Sequence, residues 1–308
     1  MTQILIGTGG WTYFNVPARD RLAAYAKHYG FVEVNSTYYQ IPPISAAQSW
    51  RNRVPEHFEF SVRCNRSIYE NGKLRNIDRN KQLLQQMVDI CSILRAKTLH
   101  VLTPESCVLD KQELAGMKRL LGSVGPEIVR IAWEIRRKPD SALPVEALDV
   151  IRELQIVHCV DLSRELPRVE SNVMYSRLFG KGEQNIYQFD DQELKSIDRK
   201  ASETRLKMSS LSFHGVKMHS DAMRLAVYRK TGRFPKVTRS VGLESLTEIL
   251  NEDPVYPASR EVLILSHGWK VFDLTTDQRV HAAEYLKLLP NQSYGSTRDV
   301  VDFLKRYL

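Results

Sequence analysis

The chain has 308 residues, 43% apolar and 26% charged, enough to bury one large core beside a small one and unlike disordered or fibrous chains. The opening Met1-Thr2-Gln3-Ile4-Leu5-Ile6-Gly7 lacks the basic segment and long apolar run of a secretory signal, and no run of about 18 apolar residues occurs, so no export signal and no membrane span are expected. The formal charge of +8 is uneven, 35 basic against 26 acidic residues before Lys236 and 9 against 10 from there on, which directs an anionic partner to the first part.

Short β-branched runs alternate with amphipathic stretches, the pattern of parallel βαβ units. Strands are predicted from Gln3 to Gly7, Val32 to Asn35, Phe58 to Arg63, Thr98 to Leu102, Val129 to Glu134, Ile156 to Asp161, Val173 to Leu178 and Leu211 to Val216. Between them apolar residues fall three and four apart, as in Leu83, Met87, Ile90 and Leu94, a stripe that a helix lays on a sheet. Ser45 reads as an N-cap and Pro144 as a first-turn proline. Eight such units in about 230 residues have the length of an α/β fold of the (β/α)8 TIM-barrel type. An open doubly wound sheet is the competing arrangement. The run Lys230-Thr231-Gly232-Arg233-Phe234-Pro235 then breaks the rhythm like a linker, placing a barrel domain at 1–232 and a small all-helical domain at 233–308. The tail shows helical stripes such as Val300, Val301 and Leu304, with Ser296 and Asp299 spaced as a capping box.

Side chains alternate along a strand, so one parity faces the helices and the other the barrel axis. Val32 and Val34 suit the helix side, which turns Glu33 and Asn35 inward; Ile131, Trp133 and Ile135 likewise leave Ala132, Glu134 and Arg136 inside. Arg63 ends the third strand, Asp161 ends the sixth, and Arg177 and His214 lie late in the seventh and eighth. Buried charges are costly unless paired or solvated at the mouth, and barrel enzymes carry their chemistry at the C-terminal strand ends. The set therefore marks a candidate site, with Glu33 and Glu134 as acid or base and Asn35, Arg63, Arg136, Arg177, Asp161 and His214 as ligand contacts. The plain alternative is a structural ion-pair network joining Glu33 to Arg63 and Glu134 to Arg136 or Arg177.

Gly180-Lys181-Gly182 follows strand seven, where barrels often bind phosphate on backbone N–H groups; a surface turn is the competing reading. Glu33, Glu134, Asp161 and His214 form an oxygen-rich set without paired histidine spacing, so no metal is assigned, and no cofactor is identified. His100 and His158, in mid-strand, read as core histidines. The cysteines Cys64, Cys91, Cys107 and Cys159 lack metal-type spacing and suit free thiols in a cytoplasmic setting.

Several segments share one resemblance. Ile6-Gly7-Thr8-Gly9-Gly10-Trp11-Thr12-Tyr13, then Val32-Glu33-Val34-Asn35-Ser36-Thr37-Tyr38-Tyr39-Gln40-Ile41-Pro42, Phe58-Glu59-Phe60-Ser61-Val62-Arg63, Trp133-Glu134-Ile135-Arg136 and Tyr175-Ser176-Arg177-Leu178-Phe179-Gly180 occur in order. From about residue 4 to 230 the chain resembles the YecE-like family, domain of unknown function 72. The resemblance implies a barrel and no defined activity, and it adds Trp11 to the ligand contacts. It also implies lysine where Arg63 stands and histidine where Phe179 stands, both departures here. The tail, through Tyr256-Pro257-Ala258-Ser259-Arg260-Glu261-Val262-Leu263 and Leu289-Pro290-Asn291-Gln292-Ser293-Tyr294-Gly295-Ser296, resembles domain of unknown function 2795.

Three functions fit these residues. In the first, an enzyme or binder takes a small anionic or phosphorylated ligand at the mouth, held by Arg63, Arg136 and Arg177. In the second, a nucleic-acid-binding or metal-dependent nuclease-like barrel uses the basic run Arg224, Arg229, Lys230, Arg233 and Lys236, against the shortage of histidine ligands. The third is a non-catalytic binding or assembly protein whose tail docks a partner. The oligomeric state is not set by the sequence.

Overall fold

A computed structural model describes residues 2–14, 17–70, 77–137 and 141–307. Eight parallel strands form one sheet: β1 Gln3–Thr8, β2 Phe31–Val34, β3 Glu59–Arg63, β4 Thr98–Thr103, β5 Arg130–Ile135, β6 Val157–Cys159, β7 Val173–Leu178 and β8 Met208–Phe213. Their order is β6-β5-β4-β3-β2-β1-β8-β7, and a parallel bridge between Val160 and Ser176 brings the two outer strands together. The Arg177 N–H donates to the Val160 carbonyl at 3.3 Å across that seam. The sheet is thus a nearly closed barrel and not an open doubly wound sheet, because β1 lies between β2 and β8 and the remaining edges meet.

Strand composition follows from burial on both faces. The outward parity is apolar, with Val32, Val34, Val62, Leu99, Val101 and Trp133 fully buried, and the helix Ile77–Leu94 packs on β3 and β4. The Trp133 indole N–H donates to Thr103 Oγ1 at 2.8 Å, so its polar edge is satisfied. Inward, the lower part of the barrel is plugged by Phe31, Ala132, Val157, Cys159 and Tyr175 with Leu5 and Val173. Two residues further along the same parity the side chains become Glu33, Glu134 and Arg177, which leaves the polar set above an apolar floor.

Seven strands fall within two residues of their predicted bounds; the eighth does not. It runs Met208–Phe213, not Leu211–Val216, as its registers with β1 and β7 show. Three of its six residues are serines, and the Ser209 hydroxyl donates to the Ala201 carbonyl, so the segment lacks the β-branched signature of a strand. His214 therefore lies beyond the strand end. Ser45 is also misread: the helix is Ile44–Asn52, preceded by Pro43. Asp20 and Asp110 do cap the helices Arg21–Ala26 and Lys111–Leu121.

Contacts divide the chain into two compact units, residues 1–178 with 201–213, and residues 179–200 with 214–308. The second unit is mainly helical, with helices Met218–Thr231, Leu243–Leu250, Arg260–His267, Ala282–Leu286 and Thr297–Tyr307. It is not purely helical, since Val271–Asp273 pairs with Arg279–His281 and Ala258–Ser259 with Ser293–Tyr294. Its apolar core includes Leu246, Leu263, Phe272, Leu286, Val300 and Leu304.

Residues 179–200 join this unit for visible reasons. Buried Arg224 bonds Asp191 and Asp221, Arg279 bonds Asp273 and Asp191, and Gln188 Oε1 accepts the Val271 N–H at 2.9 Å. Of the basic run expected to serve nucleic acid, Arg224 is withdrawn into the structure, 2% exposed and held by carboxylates, and Arg229 pairs with Asp198, while Lys230, Arg233 and Lys236 are exposed.

Candidate active site at the barrel mouth

Arg177 stands at the centre of the polar set, 2% exposed. Its Nε and Nη2 donate to the two oxygens of Glu33 at 3.1 and 3.2 Å, a bidentate fork, while Nη1 donates to Glu134 Oε2 at 2.7 Å. The Tyr175 hydroxyl donates to Glu33 Oε2 at 2.7 Å and lies 2.7 Å from Ser61 Oγ. Glu134 accepts two further bonds, from Arg136 Nε at 2.8 Å and from His100 Nε2 at 2.9 Å. Strand parity explains the convergence, because Glu33 registers with Ser61, Arg63 with His100 and Leu102 with Glu134.

These contacts fix the protonation states. Burial pushes His100 down to about 4, with Arg177 adding to the effect, so its ring is neutral near pH 7. Facing a carboxylate, Nε2 must carry the proton, and Nδ1 is left buried without a partner. Burial alone would raise Glu134, yet Arg177, His100 and Arg136 outweigh it and hold its carboxyl well below the ordinary range. Burial also works against the charge on Arg177, and Glu33 and Glu134 overcome it to keep the guanidinium protonated. Tyr175 is raised by burial and by Glu33, so it stays a phenol.

Arg63 differs from Arg177. It is 7% exposed, donates to Asn35 Oδ1 at 2.6 Å and lies flat on the Tyr38 ring at 3.6 Å. It makes no ion pair among the described residues, and its Nε is buried without a partner. Burial, and then Arg177, push it down to about 10, still charged at neutral pH. Three guanidinium groups thus stand with two carboxylates and a neutral imidazole, leaving one positive charge in excess.

The remaining expected residues have the following surroundings. Asp161 Oδ1 accepts from the N–H and hydroxyl of Ser163 at 2.8 and 2.6 Å, bracing its own turn. Trp11 packs edge-on to Trp50 at 5.4 Å. His214 stacks on Phe179 at 4.9 Å in the second unit. The same unit holds Gly180-Lys181-Gly182, where a Cβ on Gly180 would meet the Tyr187 ring and one on Gly182 the Ile186 carbonyl. Those contacts explain both glycines, and Lys181 Nζ pairs with Glu193 at 3.0 Å.

The reading from sequence missed His100 and Tyr175 as members of the cluster, although both share the inward parity of their strands. As to metals, His100, Glu134 and Cys159 bring ligand atoms within 4.8 Å of one another, as do Asp190, Glu193 and His281 in the second unit. In the first trio Arg177 and His100 occupy Glu134 Oε2, and burial with Glu134 raises the Cys159 thiol well above its ordinary value, so no thiolate is on offer.

None of the described helices is long and apolar enough to cross a membrane. No curated protein matches the chain. Among solved structures, a DUF72 family protein from Enterococcus faecalis is 18% identical with a TM-score of 0.59, covering 73% of this chain and 93% of that one. A DUF72 family protein from Thermotoga maritima is 17% identical with a TM-score of 0.58, covering 74% and 99%. At such identities the likeness concerns the fold. The sequence pattern described as "Protein of unknown function DUF72" matches residues 5–232, and the chain belongs to that family.

Proposed function

We propose that the barrel mouth binds a small phosphate- or carboxylate-bearing ligand, with Arg63 as the principal anion contact and Arg136 as the second. The observation that carries this reading is Arg63 itself, a buried guanidinium with an orphaned Nε and no carboxylate partner. A buried charge without a counter-ion is costly, and an anion from solution would supply one bidentately. The part given to Arg136 is supported by its pair with Glu134 and by the 44% of its side chain that is exposed.

Within this reading Glu134 is the carboxylate that meets the ligand, since 12% of its side chain is exposed against none for Glu33. Held ionised by Arg177, His100 and Arg136, it serves this reading by fixing those groups at the ligand rather than by giving up a proton. Glu33 is a positioning residue that fixes Arg177 through the fork and Tyr175. The phosphate role of Gly180 to Gly182 is set aside in favour of Arg63, and the likeness of the tail to domain of unknown function 2795 remains our reading of its residues.

The test is calorimetric titration with phosphate, pyrophosphate and small mono- and dicarboxylates, followed by turnover of a panel of such anions with Glu134→Gln as control. Arg63→Ala should weaken the best anion about 10- to 100-fold, the range of a charge-assisted hydrogen bond. If no anion at millimolar concentration binds or stabilises the wild type, the reading fails.

A further inference from the structure

Beside Arg63 the mouth carries a feature that a bare phosphate would not use. The loop after β2 is bound tightly to the end of β3: the Thr37 hydroxyl lies 2.7 and 2.6 Å from the carbonyl oxygens of Val34 and Arg63 and shares its one proton between them, Asn65 Nδ2 donates to the Thr37 carbonyl at 2.9 Å, and the Arg66 N–H donates to the Tyr38 carbonyl at 3.0 Å. This frame sets Tyr38 under the Arg63 guanidinium and Tyr39 edge-on to Tyr38, with ring centroids 5.2 Å apart and planes at 90°. The Arg66 guanidinium lies 5.7 Å from the Tyr39 ring.

Tyr39 is 63% exposed. A lone exposed tyrosine is ordinary. Here the ring is held by a braced loop and joined through Tyr38 to Arg63, a buried arginine with no ion pair among the described residues. Aromatic faces and guanidinium planes stack on flat conjugated rings, whereas a sugar phosphate offers them little.

We infer that the ligand of this mouth is an anion carrying a planar ring, as in a mononucleotide, with the anionic group on Arg63 and the ring on Tyr39. The inference rests on the anion reading above and narrows it to a substrate class.

The experiment titrates the full chain with adenosine 5′-monophosphate, ribose 5-phosphate and 4-hydroxybenzoate. The ring-bearing phosphate should bind about tenfold or more tightly than ribose 5-phosphate, the gain expected for one stacked base. Tyr39→Ala should abolish that advantage and leave ribose 5-phosphate unchanged, and Tyr39→Phe should retain it. Binding of 4-hydroxybenzoate with the same Tyr39 dependence, in place of the nucleotide, supports the ring assignment with a carboxylate as the anionic group. Equal affinity for the two phosphates with no such benzoate binding, or a ring advantage that survives Tyr39→Ala, overturns the ring assignment and leaves the anion reading standing. Failure of every anion to bind removes both.

Discussion

Arg177 and Arg63 are both buried arginines of the barrel interior, and their partners predict opposite behaviour on removal. Arg177 neutralises Glu33 and Glu134, so Arg177→Met strands the Glu33 carboxylate, leaves Glu134 with only Arg136 and His100, and should lower stability by about 3–5 kcal/mol, read by urea denaturation. Adding Glu33→Leu should restore part of that loss, because removing both members of a buried pair costs less than removing one. Arg63 makes no ion pair among the described residues and is opposed by burial and by Arg177 more than it is favoured by Glu33 and Glu134, so Arg63→Met should leave the denaturation midpoint unchanged or raised while it weakens anion binding. A residue whose removal stabilises the fold is one kept for function. Glu33, Glu134, Arg136 and Arg177 could be grouped from sequence because strand parity is local information. The pairing could not, since it depends on side-chain reach across the barrel, and Glu33 meets Arg177 rather than Arg63. His100 looked like a core residue and is one by burial; its bond to Glu134 depends on the registers between β3, β4 and β5.

At the scale of elements, the loop after β2 and the approach of β1 to β2 do most to fix the mouth. Thr37→Val deletes one hydroxyl that serves two carbonyls and should cost about 1–3 kcal/mol of stability. It should also weaken anion binding without touching the ligand, and Thr37→Ser should restore both. Gly7 permits no side chain, since a Cβ would lie 2.0 Å from the Phe31 carbonyl oxygen. Gly7→Ala therefore has to push β1 from β2 and should destabilise by several kcal/mol, measurable by thermal melting. Strands with β-branched residues were legible from their composition, and the serine-rich β8 was not, because its place comes from pairing with β1 and β7 rather than from its own side chains. The tail's short antiparallel pairs, two or three residues long, are below what periodicity can reveal.

For the barrel unit as a whole, the buried histidines dictate a pH profile. His100 and His158 are both pushed down to about 4 by burial, His100 further by Arg177 and His158 by Arg168 and Arg137. The His158 Nδ1 accepts the Arg168 N–H at 3.0 Å, a bond that only a ring unprotonated at Nδ1 can make. The unfolded chain takes up these protons near pH 6.5, and the folded barrel refuses them until about pH 4, so between those limits the unfolded state binds more protons. Stability should accordingly be level above pH 6.5 and fall as pH drops through the window, each histidine contributing a loss of about 3 kcal/mol by its lower end. Below that, protonation of Glu134, whose carboxyl lies well beneath the ordinary range, adds a further loss. Urea denaturation at half-unit steps from pH 7.5 to 4 measures the slope, and His100→Gln and His158→Gln should each flatten it. A profile equally steep in both variants would mean that neither imidazole is held neutral by the fold.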